Sequence, residues 1–187
     1  MIKTLDQMTA EELGKIFPII LSSHKEKWSE LFNKEKESIC LHIGKQSVTR
    51  IEHIGSTAVP DIICKPTIDI LLEVKKNTDS QSVINNLKSI GYHYISKPEN
   101  PPPHMMFVKG YTIEGFKGQS YHVHVRYPGD WDELYFRDYL KNNAVVRKQY
   151  GELKTKLAVK FRNDRDGYTD AKSEFIKKIT GLARQMK

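Results

Sequence analysis

Three parts of this sequence carry residue types that do chemistry, at spacings that let them act together. The first is Ile51-Glu52-His53-Ile54-Gly55-Ser56-Thr57-Ala58-Val59-Pro60, where a β-rich run ends in Gly-Ser and a short turn. Gly55 lets the backbone come close to a bound phosphate. The Ser56 hydroxyl and the N–H groups of the next turn, from Thr57 on, can hold phosphate oxygens. The second is Asp69, inside the apolar run Thr67 to Val74. A carboxylate in such a strand is costly unless it is paired or metal-bound. It serves either a functional cleft or a structural ion pair, for instance with Arg50. The third is His122-Val123-His124-Val125-Arg126. His122 and His124, two apart on a strand, point to one face.

If that strand neighbours Asp69, the three residues form a set of two histidines and one carboxylate. Such a set suits Mn, Fe or Zn better than Mg, which prefers oxygen ligands. The histidines could instead contact phosphate, shuttle protons, or simply bond to nearby backbone. Arg126 continues their face and is a candidate phosphate clamp. Lys65, before Pro66, stands at the mouth of the Asp69 strand as a partner for a polyphosphate or as an ordinary surface lysine. Tyr168 and Lys172 lie one helical turn apart and could close a cleft from the C-terminal side, although packing explains Tyr168 equally well. Glu52 and His53 flank the turn; Glu52 is expected to pair with a basic residue or to assist a metal. Arg137 reads as an ion-pair partner near Asp138. Trp28, Trp131 and Phe136 read as core.

The elements that must position these groups follow from periodicity. The segment from Met1 to Leu21 reads as a helical arm, started by a capping box of Thr9 and Glu12. Lys25 to Ile43 has helical spacing and ends at Gly44. Ser47 to Ile54 alternates as a strand. Thr67 to Val74, apolar apart from Asp69 and Glu73, reads as a strand buried on both faces. Asp79 caps a helix that Gly91 closes. Tyr92 to Ile95, His104 to Val108 and Tyr121 to Tyr127 read as strands, with a turn-rich Gly110 to Gly118 joining the last two. Lys97 to Pro103, rich in proline, reads as a stiff loop. Helices are expected over Asp130 to Asn142, Val145 to Arg162 and Thr169 to Ala183, separated in the last case by residues 163–167. The fold class is α/β (α+β): a mixed sheet flanked by helices, with a helical C-terminal part (129–187) packed on it in one domain of residues 1–187.

The chain has 187 residues, 39% hydrophobic and 28% charged, which suits a globular protein with its own core. No apolar stretch reaches the roughly 18 residues of a membrane span, so no membrane partner is expected. The start lacks the pattern of a signal peptide, and the 2 cysteines, Cys40 and Cys64, stand in no metal or disulfide pattern. A cytoplasmic protein with reduced thiols is the expectation. The net charge of +7 admits a polyanionic partner. The lysines are scattered along helices, as in Lys154, Lys156 and Lys160, which reads as a solvated basic face. No nucleic-acid motif is present, so a nucleic-acid partner is not expected.

The Gly-Ser turn followed by an Asp-bearing strand resembles the signature of the nucleotidyltransferase superfamily. The fuller text, Glu52 to Pro60 followed by Lys65-Pro66-Thr67-Ile68-Asp69-Ile70, is similar to that of the GrpB family, an uncharacterised family that some bacteria fuse to dephospho-CoA kinase. His122-Val123-His124-Val125, Phe136-Arg137-Asp138-Tyr139-Leu140 and Asp166-Gly167-Tyr168-Thr169-Asp170-Ala171-Lys172 extend the likeness along most of the chain. The resemblance implies that the histidine strand neighbours Asp69, and a cleft binding an NTP or another phosphorylated small molecule with Mg or Mn. Gly55, Ser56, Thr57, Lys65, Arg126 and Lys172 would serve the phosphates, with Asp69, His122 and His124 as metal ligands and catalytic groups. One departure stands out. Nucleotidyltransferases that resemble this chain carry a second carboxylate two residues after the first, and here that residue is Leu71. Glu73 shares its face but lies ~13 Å from Asp69 along the strand. Nucleotidyl transfer, non-catalytic binding of a nucleotide or CoA-type ligand, and hydrolysis using Asp69, His122 and His124 therefore all stay open.

Overall fold

A computed structural model describes residues 4–186. The first three residues of the expected N-terminal arm and the last residue of the C-terminal part lie outside them. Five strands form one mixed sheet: β1 (Val48–Ile54), β2 (Thr67–Val74), β3 (His93–Ser96), β4 (Met105–Thr112) and β5 (Gly115–Arg126). The sheet order is β1-β2-β5-β4-β3. β2 and β5 run parallel, and the other pairs are antiparallel. The helices are α1 (Ala10–Ile16), α2 (Lys27–Ile43), α3 (Ser80–Ser89), α4 (Asp132–Asn142), α5 (Ala144–Lys160), α6 (Arg165–Asp170) and α7 (Ser173–Gln185). This is the α+β arrangement that the periodicities imply.

The two faces of the sheet are built differently. Ile68, Ile70, Leu72 and Val74 of β2 and Val123 and Val125 of β5 point to one face. Trp28, Phe32, Ile39 and Ile43 of α2 and Val83 and Leu87 of α3 cover them, forming the main core. By strand alternation, Asp69, Leu71 and Glu73 must point to the other face. That face meets α1 and the C-terminal helices. Phe17, after α1, packs with Val108 and Tyr111 of β4. Phe136, Leu140, Tyr150 and Ile179 of the C-terminal helices gather with Val59 and Ile62, from the segment that follows β1.

Local signals place most boundaries. Thr9 and Glu12 form the expected reciprocal cap of α1. Asp79 accepts from Ser82 N–H at the start of α3. Gly44 closes α2. Several boundaries differ from the sequence reading. The N-terminal helix stops at Ile16, after which Ile19 N–H donates to the Arg162 carbonyl at 2.6 Å. Residues 165–170 are helical, because Asp164 caps them through Gly167 N–H. Trp131 is only partly buried; it precedes α4, and its Nε1 donates to Glu73.

The segment from Gly110 to Gly118 is mostly strand rather than a long turn. β4 and β5 continue through it to a tight turn between Thr112 and Gly115. Its glycines mark a bulge at Gly110, where the register shifts between Lys109 and Tyr111. Gly110 has φ +87°, and a Cβ there would press on the Gln119 carbonyl. Two steps on β4, from Lys109 to Tyr111, face five on β5, from Tyr121 to Phe116, and the left-handed backbone of Gly110 turns β4 over there. Lys109 faces α2 and pairs with Glu35, whereas Tyr111 faces Phe17 and His122 on the opposite side.

Candidate functional site

Strand register builds the site. Ile54, the last residue of β1, lies opposite Asp69, so the Gly-Ser turn begins beside the carboxylate. Across the parallel ladder, His122 is the partner of Asp69. Asp69 Oδ1 stands 3.2 Å from His122 Nδ1 and 3.9 Å from His124 Nε2. One ligand atom from each of the three lies within 4.8 Å of the others. Asp69 does not pair with Arg50, which is held by Glu73 instead.

Gly55 makes this closeness possible. Its φ is +69°, and a Cβ there would overlap the Asp69 carboxylate. The turn that follows, Ser56–Ala58, splits its side chains. Thr57 points away: its hydroxyl donates to the Thr67 carbonyl at 3.0 Å and meets His53 Nε2 at 2.9 Å. Ser56 Oγ instead meets Lys154 Nζ of α5 at 3.1 Å.

Electrostatics set the protonation states. Burial alone would raise the Asp69 carboxyl, but hydrogen bonds and charge from His122 and His124 hold it below the usual carboxylate range. Burial lowers His122 below the usual imidazole value against the pull of Asp69. The two groups are thus coupled, the carboxylate held ionised beside the His122 ring. His122 Nε2 is engaged by the Tyr111 hydroxyl at 2.7 Å. An outer hydrogen-bond partner of this kind fixes ring orientation in metal-ligating histidines. Donor type and outer partner thus fit a divalent cation with affinity for nitrogen.

Three lysines converge around this group, each held over a tyrosine ring. Lys65 Nζ lies 5.4 Å and Lys172 Nζ 4.2 Å from the centre of the Tyr168 ring. Lys154 Nζ lies 4.5 Å from the Tyr150 ring. Among the described residues, none of the three forms an ion pair with a carboxylate. Burial is the main cause that brings Lys65 and Lys154 down to about 7 and Lys172 to about 8. Ring faces offset part of the cost of burying a cation. They leave its N–H donors free.

Lys154 overturns the reading of the α5 lysines as a solvated face, since it is only 2% exposed. Its signal was visible on the helix, because Tyr150, Gly151 and Lys154 form the buried stripe of α5. Arg165 was also missed; it donates to the Phe17 carbonyl at 3.1 Å and reaches the Tyr111 hydroxyl at 3.4 Å. Arg126 is not brought to the Asp69 group. It is level with Glu73, donates to the Val125 carbonyl and lies under Trp131. Glu73 cannot replace the carboxylate missing at Leu71. It receives Arg50, Gly129 N–H at 3.0 Å and Trp131 Nε1 at 2.7 Å. Glu52 pairs with Arg137, which also holds Asp138.

The GrpB protein family model matches residues 18–181 of this chain. The chain is 40% identical over 165 residues to the Glutamate-rich protein GrpB of Alkalihalophilus pseudofirmus, covering 86% of this chain and 93% of that protein. It is 27% identical over 152 residues to a dephospho-CoA kinase of Mycobacterium leprae, covering 68% of this chain and 37% of that protein. The crystal structure of the conserved protein GrpB from Enterococcus faecalis matches with a TM-score of 0.77 at 30% identity, over 89% of this chain and 98% of that one. With agreement in sequence and fold along nearly its whole length, the chain belongs to the GrpB family.

Proposed function

We propose that this protein binds a nucleotide, or a closely related phosphorylated small molecule, and promotes substitution at phosphorus. A nucleotidyl group would pass to an acceptor. The likeness of the Gly-Ser turn and the Asp69 strand to nucleotidyltransferases supports that class of reaction. The observation that carries the proposal is the set of three lysines without carboxylate partners beside the Gly55-Ser56 turn. Unpaired ammonium groups out of water are expensive, and a multiply charged anion relieves that cost.

Lys65 and Lys172 would hold phosphate oxygens beside the Ser56 turn, with Lys154 adding to the positive surroundings of the bound anion. Asp69, His122 and His124 would hold a divalent cation, which, when bound, offsets charge on the same phosphate. One cation on this set suits the site better than two magnesium ions, because Leu71 and the committed Glu73 leave a single carboxylate. Mn or Zn is therefore favoured over Mg.

The test is thermal melting against ATP, GTP, CTP, UTP and CoA, each without metal and with Mg, Mn or Zn. CoA joins the panel because of the dephospho-CoA kinase relative. A ligand at a hundred times its dissociation constant adds about 2.7 kcal/mol of stability. The expected result is a metal-dependent shift that Asp69→Asn abolishes. A second reading, binding without catalysis, has Leu71 in its favour. A shift that needs no metal and survives Asp69→Asn, with no turnover, would establish that reading instead.

A further inference from the structure

Lys154 does more than add charge to the cleft. Its Nζ is 3.1 Å from Ser56 Oγ, a contact that joins residues 98 apart in sequence. The Tyr150 ring lies 4.5 Å from the same ammonium. No carboxylate holds Lys154 in its charged form among the described residues. Cys64, buried beside it, is a thiol pushed up to about 11 by burial and so stays neutral. A serine hydroxyl with a buried amine at hydrogen-bond distance has the form of an activated nucleophile and its base.

We propose that Ser56 is a nucleophile in this protein and Lys154 its base, so that the transferred group passes through a covalent ester on Ser56. The inference rests on the reading of the cleft as a phosphorylated-ligand site. In the first step Ser56 Oγ attacks the α-phosphorus of a nucleoside triphosphate. The Oγ–P bond forms, the bond from phosphorus to the bridging oxygen breaks, and pyrophosphate leaves with both electrons of that bond. The Oγ proton passes to Lys154 Nζ. In the second step an acceptor hydroxyl attacks the same phosphorus. The Oγ–P bond breaks, and Lys154 returns a proton to Ser56 Oγ as the acceptor loses its own to solvent. Nothing is oxidised or reduced. The lowering of Lys154 to about 7 agrees with this role, because a useful fraction of the amine is then neutral near pH 7.

The experiment uses the full-length chain, each of the four NTPs with Mn, and acid quenching before intact-mass measurement without an added acceptor. The expected result is a mass gain of one nucleoside monophosphate, mapped to the peptide containing Ser56 and absent in Ser56→Ala. Lys154→Arg keeps the charge but cannot give up a proton. It should keep the NTP-dependent melting shift while labelling falls at least about 100-fold. A lysine that only anchors phosphate would leave labelling of Lys154→Arg close to wild type, and that result overturns the proposal. A melting shift without any adduct, or an adduct on another residue, also overturns it while leaving the phosphate-site reading intact. No melting shift with any NTP removes both.

Discussion

The α-carbon of Gly55 lies against the Asp69 carboxylate so closely that no side chain fits between them. This contact holds the Gly55-Ser56 turn and the Asp69 carboxylate at one fixed separation. Gly55→Ala meets two obstacles, a left-handed φ of +69° and overlap with Asp69. We expect a loss of about 2–4 kcal/mol, from roughly 1–3 for the backbone and a comparable cost of overpacking. Urea unfolding measures it. Cation affinity, followed by titration with Mn, should fall as well because Asp69 must move.

Tyr111 positions His122 from behind. Tyr111→Phe removes only the hydroxyl that meets His122 Nε2. Cation affinity should drop roughly 10–100-fold, the usual effect of losing an outer hydrogen bond on a metal-ligating histidine. The melting temperature without ligand should change little. Calorimetric titration with Zn or Mn compares the two proteins directly, and equal affinities would mean that the cation sits elsewhere.

The three lysines make stability depend on pH in a defined direction. Their folded values, about 7 for Lys65 and Lys154 and about 8 for Lys172, lie below the ordinary value of 10.5. Between these values the unfolded chain binds more protons than the folded one. Stability of the ligand-free protein should therefore rise as pH increases from about 7 towards 10. Lys154→Met should be more stable than wild type near pH 7 and show a shallower rise. A bound phosphate favours the charged forms of Lys65 and Lys172, so ATP affinity should weaken as pH climbs past 8. Calorimetry in buffers of different ionisation enthalpy should detect proton uptake on binding.

Glu73 is a structural carboxylate, although it shares a strand face with Asp69. Glu73→Gln breaks its pairing with Arg50 and weakens acceptance from Gly129 and Trp131. Removing one partner of a buried pair costs about 3–5 kcal/mol. Chemical denaturation should show a loss of that size. Cation binding at Asp69 should persist in the folded fraction, which a direct role of Glu73 at the metal would not allow.

The sheet and its Asp69 end were largely legible in the sequence. Thr67 to Val74 reads as a buried strand because its residues are almost all apolar and branched, and the element has those bounds. His122 and His124 share a face because strands alternate, and alternation holds there without interruption. Tyr111 was hidden because Gly110 to Gly118 reads as a turn, whereas β4 runs on through it with its faces reversed at Gly110. Arg126 follows the alternation but is roofed by Trp131, a contact across elements that no strand pattern contains. Lys154 was obscured by its type. Lysine is so commonly solvated that its place in the Tyr150 stripe carried little weight.

The contact between Ser56 and Lys154 closes a loop spanning more than half of the chain. Contacts this distant in sequence are slow to form, because the chain must lose much of its freedom before they repay it. The Asp69 group needs only β2 and β5, and Lys65 stands just before β2, while Lys154 and Lys172 wait for α5 and the segment before α7. A chain still being synthesised would therefore carry Asp69, His122 and His124 before it carries two of the three lysines. Completion of the lysine set would then report that the last third of the molecule has docked.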